Sequence, residues 1–573
     1  MKPAARGLGA ALLVLLAACT HQLRTPGPTV DAPPPRLSSW DALVDAFIDA
    51  SFEAIPPLGV RAGRHEFDGR LPPLTRESFR QQAESLRAFR ERAKAFDTAS
   101  LDAHQRFERE YLLSEIDGEL WWLEVGERPY RYPGYYAFVL SPDIYLEREY
   151  APLEQRMRAY VKYLQAIPAG ARHARENLRA PMPRTFAQLG RNIFGGMAKF
   201  YGKDVPGIFA PVKDAQLQGE FRTANAAAIR AMQDLEAWFR AEEARANDDF
   251  ALGPEKYLQM LHATEDVDIP VARLKEMGER DLARNLAALN EACARIAPGA
   301  TIKACVDKVQ AKKPPEGPVK AATRQLAQLR QFLVDRNVVT IPSAEVAVVD
   351  EAPPYRRWNA AYLSTPGPFE KSLPAIYFIA PPDPAWTAAE QTAYIPDEDT
   401  LLIISLHEVW PGHFLHHLHT KKAASKIGRL YRSYAFTEGW AHYCEEMMWE
   451  MGLGDGNPEV HVGQIVDALL RDVRYLSAIG LHTGGMTVAQ SEAMFREQAF
   501  QDPGNARQQA ARGTFDPGYG NYTLGKLMIR QLRDDWTATR GGRNAWRAFH
   551  DKLLSYGAPP LPLVRKDMMG EPR

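Results

Sequence analysis

The sequence of 573 residues contains only four cysteines, and its charges almost cancel, with 71 acidic against 70 basic side chains. So few cysteines exclude a disulfide-rich scaffold as the source of stability. The lack of a basic excess or a basic run argues against an electrostatic surface for nucleic acid, so no nucleic-acid partner is expected. After the first residues, no apolar run is long enough to span a membrane. With 45% hydrophobic and 25% charged residues, the composition is that of a globular protein.

The first 19 residues have the pattern of an export signal. A short basic start precedes an apolar stretch, and the segment ends in Leu16-Ala17-Ala18-Cys19, which resembles a bacterial lipobox. The resemblance implies cleavage before Cys19 and lipid attachment to its thiol, so residues 1–18 are predicted to be a lipoprotein signal peptide. The alternative is an ordinary cleaved signal with an incidental cysteine.

Residues 19–38 contain five prolines and no apolar periodicity. Such a stretch stays extended and is predicted to be a tether between the lipid and the folded body. Thr20, rather than an aspartate, follows Cys19, so nothing indicates retention at the inner membrane. We therefore expect a cell-envelope protein, anchored through its N-terminal lipid only, at the outer membrane facing the periplasm.

Export also bears on the other cysteines. Cys293 and Cys305 lie twelve residues apart around Pro298-Gly299. A local disulfide in an oxidising periplasm is one interpretation of this pair, and two buried thiols are the other. Cys444 falls in an apolar helical segment and is predicted to be buried rather than reactive.

The mature chain is predicted to be mainly α-helical. Between residues 39 and 337, apolar side chains recur at intervals of three and four, most clearly in 155–166, 222–246 and 271–296. Helical periodicity returns from about residue 399 to the end. We expect a helical part at 39–337 and a catalytic part at 338–573, joined in one body.

Between residues 338 and 380 the pattern changes to short strands. The segments with strand character are 338–342, 346–349, 361–363 and 375–379. They predict a small antiparallel sheet just before a histidine-rich helix. An exposed edge of such a sheet could align an extended peptide by main-chain hydrogen bonds, or the sheet could be purely structural.

Histidine placement is the most informative feature of the sequence. Six of the 14 histidines fall within 36 residues, where an even spread would place fewer than one. They are His407, His413, His416, His417, His419 and His442. This cluster is where function is sought.

A zinc peptidase needs two neutral imidazoles to hold the metal and a carboxylate beside the first, which takes a proton from water activated by the metal. His407 and Glu408 form such a pair, and His413 follows six residues after His407 instead of the usual four. On an unbroken helix, six residues place the two imidazoles about 120° apart. Pro411-Gly412 between them could interrupt the helix and bring both imidazoles to one point.

A rival pair has the ideal spacing. His413 and His417 are four residues apart, although no glutamate follows His413. The residues alone leave both pairs open. His416, His417 and His419 are otherwise interpreted as surface or core histidines of the same helix.

A third ligand is available downstream. Glu438 lies 25 residues after His413, a distance that suits a second helix packed antiparallel to the first. A carboxylate delivered in this way would complete a His-His-Glu site with an open position for water. Glu445, two turns further on, could orient a ligand or lie on the helix surface, and His442 shares its face.

These motifs together resemble a bacterial domain of unknown function, number eight hundred and eighty-five, whose members are regarded as zinc metallopeptidases and are often lipoproteins. The family pattern His-Glu-Gly-Tyr-Pro-Gly-His, followed by Glu-Gly-Trp-Ala-x-Tyr-x-Glu, corresponds to residues 407–413 and 438–445. Val409 and Trp410 depart from the pattern but affect no proposed ligand. The resemblance extends over nearly the whole mature chain.

The resemblance implies a large helical zincin-like metallopeptidase fold. It implies one Zn2+ per chain, held by His407, His413 and Glu438, with Glu408 as the general base. Weaker family-like stretches occur at 474–487 and 520–526, the latter resembling a Tyr-x-x-Gly-Lys segment.

Other residues could support the reaction. His482, Tyr519 and Tyr522 are candidate donors to the anionic tetrahedral intermediate, and Tyr522 is preferred because it fits the family segment. Each of the three could instead be an ordinary buried residue. Arg474 could bind a substrate carboxylate through two hydrogen bonds, or pair with an acid on a helix surface.

The leading hypothesis is a lipid-anchored zinc hydrolase that cleaves short peptides. One alternative is a zinc amidase that acts on a non-peptide or cell-wall amide. Another is a non-catalytic envelope lipoprotein with a structural or vestigial metal site, against which the intact pair of His407 and Glu408 argues, because a structural site needs no adjacent base.

Overall fold

Helices dominate the structure, a computed structural model that describes residues 39–353, 357, 360–384 and 386–570. The predicted signal peptide, Cys19 and the tether lie outside the described residues. Among the described helices, none combines the length and the apolar character that a membrane span requires.

The segment before residue 337 is helical throughout, as its periodicity predicts. Its helices are α1 (Trp40–Ala54), α2 (Pro56–Ala62), α3 (Arg76–Lys94), α4 (Ala103–Glu124), α5 (Arg128–Arg131), α6 (Pro133–Val139), α7 (Asp143–Glu147), α8 (Leu153–Asn177), α9 (Arg184–Lys203), α10 (Val205–Phe209), α11 (Ala215–Glu243), α12 (Pro254–Glu265), α13 (Val271–Ile296), α14 (Ile302–Gln310) and α15 (Pro318–Arg336).

Three short strands follow, and helices resume after them. The strands are β1 (Val348–Glu351), β2 (Ala361–Ser364) and β3 (Ile376–Ile379). The later helices are α16 (Ala388–Tyr394), α17 (Glu398–Glu408), α18 (His413–Thr420), α19 (Lys426–Leu430), α20 (Tyr434–Glu450), α21 (Pro458–Thr483), α22 (Val488–Gln498), α23 (Pro503–Phe515), α24 (Asn521–Ala538), α25 (Trp546–Leu554) and α26 (Leu561–Met569).

The sheet precedes the histidine-rich helices, but it is mixed and not antiparallel as predicted. Its strand order is β1-β3-β2, with β1 parallel to β3 and β2 antiparallel to β3. Because β3 lies between two strands that run in opposite directions, it must be parallel to one of them. The pairing register aligns Leu363 with Tyr377 and Val349 with the same tyrosine on the other side.

Residues 338–342, predicted to be a strand, have no strand conformation. Their backbone groups are bonded to side chains that come from far along the chain. The carboxylate of Asp551 accepts hydrogen bonds from the Thr340 backbone N–H at 2.8 Å and from its hydroxyl at 2.6 Å. The imidazole of His550 bonds to the carbonyl oxygen of Val338 at 2.8 Å. These contacts replace the ladder hydrogen bonds of a strand.

Side-chain caps begin the two helices that matter most for the site. Asp397 accepts hydrogen bonds from the backbone N–H groups of Asp399 and Thr400 at the start of α17. Ser433 accepts one from Phe436 at the start of α20. Such caps satisfy backbone donors that have no partner within the helix and fix where it starts.

Two hydrophobic clusters fill the interior. The first is built on α15, β3, α17, α18, α20 and α24 to α26, and the second on α12 to α14, α21 and α23. Each takes side chains from before and from after residue 337. Cys293 on α13 and Cys305 on α14 form a disulfide beside the second cluster. Cys444 is buried, as predicted.

Helices α20 and α24 approach each other at two glycines. A Cβ at Gly525 would lie 1.9 Å from the carbonyl oxygen of Ala435, and one at Gly439 would lie 2.5 Å from the Cα of Gly525. Both distances are far below a van der Waals contact, so the approach requires residues without a side chain. This contact fixes the distance between Glu438 on α20 and Tyr522 on α24.

We predict that Gly525→Ala lowers the free energy of unfolding by about 3 kcal/mol, because the added methyl group forces the two helices apart. The measurement is the urea midpoint of the purified protein. Gly196→Ala, in a helix where a Cβ meets nothing within 4 Å, should be neutral or stabilising by no more than about 1 kcal/mol. Equal midpoints for Gly525→Ala and the unmodified protein would contradict the close approach.

Candidate metal centre

The two imidazoles at the centre of the histidine cluster come from consecutive helices separated by a short break. Helix α17 ends at Glu408 and α18 begins at His413. Within the break, the Gly412 N–H donates to the carbonyl oxygen of Leu406 at 3.1 Å. A Cβ at Gly412 would lie 1.8 Å from the carbonyl oxygen of His407, so this turn requires glycine. The expected interruption of the helix is therefore present.

The break brings His407 and His413 together. Their ring centroids lie 4.8 Å apart, with the rings nearly perpendicular. Oε2 of Glu438 on α20 lies 3.5 Å from His407 Nε2 and 3.3 Å from His413 Nε2. The ligand atoms of the three residues all lie within 4.8 Å of one another. In the part of the chain that the structure describes, this is the group of histidines and acids that could hold a metal ion.

The residues present fit a divalent metal ion. Two imidazole nitrogens and one carboxylate oxygen are the donor set of many sites that leave a coordination position open. Oε2 of Glu438 is buried and accepts no well-formed hydrogen bond from the described residues. Nδ1 of His407 is occupied by Glu445, which leaves Nε2 as the ligand atom.

Glu445, predicted either to orient a ligand or to lie on the helix surface, is fully buried and contacts His407. One carboxylate oxygen lies 2.6 Å from His407 Nδ1, and the other lies 3.0 Å from His442 Nδ1. The guanidinium of Arg471 lies 3.6 Å away. Burial would raise the pKa of Glu445, but the charge of Arg471 and the two histidines hold that pKa well below its usual range. The carboxylate is therefore ionised and fixes the orientation of His407.

Glu408, the predicted base, is held by the sheet. The backbone N–H of Leu363 on β2 donates to Glu408 Oε2 at 3.0 Å, and the second carboxylate oxygen forms no hydrogen bond with the described residues. Burial raises the pKa of Glu408, and the neighbouring His413 and His407 oppose that increase. A raised pKa suits a carboxylate that must accept a proton and later return it.

Tyr522 and Arg474 lie beside the triad. The Tyr522 ring is 9% exposed, and its centroid lies 6.4 Å from that of His407. The guanidinium of Arg474 lies 5.1 Å from the centre of the Tyr522 ring, and its Nε donates to Gln509 at 2.9 Å. Burial and the nearby charge of Glu438 raise the pKa of Tyr522, so the phenol keeps its proton.

His482 and Tyr519 form other contacts. The two ring nitrogens of His482 are engaged with the backbone, Nε2 with the Gly513 carbonyl at 2.8 Å and Nδ1 with the Leu252 N–H at 3.3 Å. Both nitrogens of a neutral imidazole are thereby used, so the predicted donor role of His482 has no support in this geometry. Tyr519 is fully buried with its hydroxyl against Gly513.

The remaining clustered histidines divide into two kinds. His416 Nε2 bonds to the carbonyl oxygen of Gly557 at 3.0 Å, and His419 Nε2 bonds to that of Thr340 at 2.8 Å. These two hydrogen bonds connect α18 to neighbouring segments of the chain. His417, the rival ligand, is buried and has no hydrogen-bond partner on either ring nitrogen among the described residues. It is not part of the metal-binding group.

Sequence reasoning missed several residues around the centre. Arg471 forms ion pairs with both Glu445 and Asp467, although only the nearby Arg474 stood out in the sequence. Trp440 donates from its indole N–H to the Pro411 carbonyl at 3.0 Å, which ties the break to α20. The position of Trp440 in the Glu-Gly-Trp motif was the sequence feature that could have identified this residue.

We predict that Glu445→Gln weakens zinc binding by about 10- to 100-fold, because His407 loses the anion that orients it and increases its basicity. Titration against a competing chelator measures the affinity. Glu450→Gln is the matched control, since Glu450 lies on the same helix and pairs with Arg533 at 2.9 Å. Unchanged affinity in Glu445→Gln would contradict the orienting role.

Metal binding should also release a proton. Burial lowers the pKa of His407, but its bonds to Glu438 and Glu445 raise it to about 10 in the metal-free protein. At pH 7.5 the site therefore holds a proton that a divalent ion must displace, and affinity should rise with pH. Calorimetry of zinc binding in buffers of different ionisation enthalpy should show about one proton released per ion. A binding enthalpy independent of the buffer would contradict this assignment.

Comparison with known proteins is informative about family and fold. A family model described as a bacterial protein of unknown function (DUF885) matches residues 56–568. None of the curated proteins compared with the chain matches it. A proposed lipoprotein of unknown function from Shewanella oneidensis has a similar structure, with 23% identity and a TM-score of 0.78 over 93% of this chain and 100% of that one.

A second solved structure, of a proposed lipoprotein from Colwellia psychrerythraea, is 17% identical, with a TM-score of 0.78 over 93% of this chain and 98% of that one. At these identities the two structures show a shared fold and no more. The family model spans most of the sequence and includes both histidine and glutamate motifs. The protein therefore belongs to the bacterial family of unknown function DUF885, as those motifs predicted.

Proposed function

We propose that this protein is a zinc-dependent peptidase that cleaves short peptides, with Glu408 as the general base. The observation that carries the proposal is the position of Glu408 beside His407, His413 and Glu438, where, among the described residues, a backbone N–H is the one group bonded to its carboxylate. A site that served stability alone would need the three ligands but no adjacent carboxylate.

The donor set favours zinc. Two imidazoles and one carboxylate suit this ion, and a three-residue site leaves a position open for water or substrate. When bound, zinc supplies a Lewis acid that lowers the pKa of water to about 7.

The side chains around the centre have different roles in the proposed reaction. Glu408 accepts the proton of the attacking water and returns it to the leaving amine. The phenol of Tyr522 keeps its proton and donates a hydrogen bond to the oxyanion that develops on the substrate carbonyl. Arg474 lies over the Tyr522 ring and keeps the phenol in place through a cation–π contact.

Strand β2 supports the choice of a peptide as substrate. It pairs with β3 along one edge, and on its other edge the Leu363 N–H contacts Glu408. An extended peptide that added to this edge would lie across the catalytic carboxylate. Arg148 from the N-terminal helical part donates to the Ser364 hydroxyl at 2.7 Å and forms one end of this wall.

The proposal includes a zincin-like arrangement of ligand helices and sheet edge, and attachment to the outer membrane through lipid on Cys19. Similarity to two proposed lipoproteins and a disulfide that suits an oxidising compartment support the envelope location.

We predict that Glu408→Gln retains about one zinc per chain but lowers peptide cleavage by at least about 100-fold, because proton transfer is lost. Zinc is measured by elemental analysis, and cleavage by mass spectrometry of a peptide library. Glu398→Gln, at the start of the same helix, where Glu398 is partly exposed and pairs with Arg324 at 2.7 Å, should retain full activity.

Two other outcomes would contradict the peptidase activity or the metal centre. Bound zinc with no peptide cleaved by the unmodified protein would favour an amidase on other substrates or a non-catalytic site. Purified protein that binds no zinc, with His407, His413 and Glu438 intact, would contradict the metal centre itself.

A further inference from the structure

A small cavity of about 180 Å3 adjoins the metal centre. Two of the metal-site residues, His413 and Glu438, form part of its wall, and Arg432, His417 and Thr437 form another part. Its volume is below the roughly 300–1,000 Å3 of pockets that hold drug-sized ligands. The cavity is therefore suited to a small group held next to the reacting bond.

Arg432 is the cation of this cavity. It precedes the Ser433 cap of α20, and its guanidinium forms neither a hydrogen bond nor an ion pair with any of the described residues. Its side chain lines the cavity and is also exposed to solvent. An anion in the cavity would therefore pair with Arg432 through charge-assisted hydrogen bonds without displacing an existing partner.

Two further polar groups in the wall have no partner. His417 is 5% exposed, and neither of its ring nitrogens forms a hydrogen bond within the described residues. The hydroxyl of Thr437 is likewise buried and unpaired there. Buried polar groups in proteins are nearly always bonded, so two unpaired ones in the wall of a single cavity, beside the unpaired Arg432, indicate a polar ligand.

The charges around the cavity determine the sign of that ligand. Glu438 is the one carboxylate among its lining residues, and it is directed at the two imidazoles of the metal centre. Burial together with the positive charges of Arg432, Lys421 and Arg148 lowers the pKa of His417 to about 3. The cavity therefore favours an anion.

We propose that this cavity binds the free C-terminal carboxylate of the substrate, so that the enzyme is a carboxypeptidase acting on short peptides. The inference rests on the proposed peptidase function. Because the cavity shares His413 and Glu438 with the metal centre, a carboxylate bound in it would lie next to the amide that reacts. A peptide continuing past this point would place a neutral amide against the unpaired arginine and bind weakly.

The reaction is a hydrolysis at the last peptide bond. The water oxygen bonds to the carbonyl carbon, and the C–N bond breaks. The nitrogen of the last residue takes the proton through Glu408. The products are a peptide shortened by one residue and a free amino acid.

Arg474 is a less suitable carboxylate site. Its Nε donates to Gln509, and its guanidinium lies over the Tyr522 ring, so an approaching carboxylate would compete with contacts inside the protein. Arg432 has no such contacts among the described residues.

Equilibrium dialysis tests the binding site without relying on cleavage. The zinc-loaded Glu408→Gln protein is equilibrated with a library of N-acetylated tripeptides, each present as the free acid and as the C-terminal amide. Free acids should bind at least about tenfold more tightly, as expected for a charge-assisted pair. Equal binding of the two forms, or binding of neither, would overturn the proposal.

Arginine variants identify the residue that causes the preference for free acids over amides. In the same background, Arg432→Met should remove the preference for acids, while zinc content stays unchanged. Arg429→Met is the matched control, since Arg429 is exposed, does not line the cavity and, within the described part of the chain, bonds only to the Ala423 carbonyl. Loss of the preference in Arg474→Met but not in Arg432→Met would overturn the assignment. The comparison of acids with amides decides the question even where Arg432→Met fails to fold.

Cleavage by the unmodified protein separates this inference from the proposed function. Release of single C-terminal residues from acids but not amides supports both. Equal cleavage of internal bonds in both forms leaves the peptidase standing and overturns the carboxylate site. An Arg432-dependent preference for acids without any cleavage supports the carboxylate site and overturns the peptidase.

Discussion

The metal centre depends on one close backbone contact, between Gly412 and the carbonyl oxygen of His407. A side chain at residue 412 would meet that oxygen at 1.8 Å, so the turn between α17 and α18 can be made in this form only by glycine. Because the turn has this form, two imidazoles six residues apart reach the same point. Trp440 then connects the turn to α20, the helix that supplies the carboxylate of the triad.

Charge is arranged in layers around that point. Behind the triad, the buried carboxylate of Glu445 is matched by Arg471 and two histidines, and deeper still Lys526 pairs with Asp281. These pairs offset the cost of removing charge from water, so the buried charges behind the triad are balanced. On the cavity side of the triad the charges are not balanced, since Arg432 has no acidic partner among the described residues. The triad therefore separates a compensated interior from a cavity with unbalanced positive charge.

The sequence predicted what depends on local pattern and much less of what depends on distant contacts. Helical periodicity identified α8, α11 and α13, and Pro411-Gly412 indicated the break between α17 and α18. The residues alone left two histidine pairs open, and the resemblance to a family identified the metal-binding group. The prediction of a strand at 338–342 was wrong because Asp551, some two hundred residues further along the chain, accepts a hydrogen bond from the Thr340 backbone N–H. That Arg432 has no acidic partner among the described residues could not be recognised before the structure placed their side chains.

The bond from Arg148 to Ser364 connects a helical region early in the chain to the strand that borders the site. One wall of the candidate site is thus positioned by residues outside the histidine and glutamate motifs. In the proposed peptidase, substitutions in that early region would change which molecules enter without altering a candidate metal ligand or Glu408. Under that proposal, selectivity and chemistry diverge independently, and proteins with identical motifs need not share a substrate.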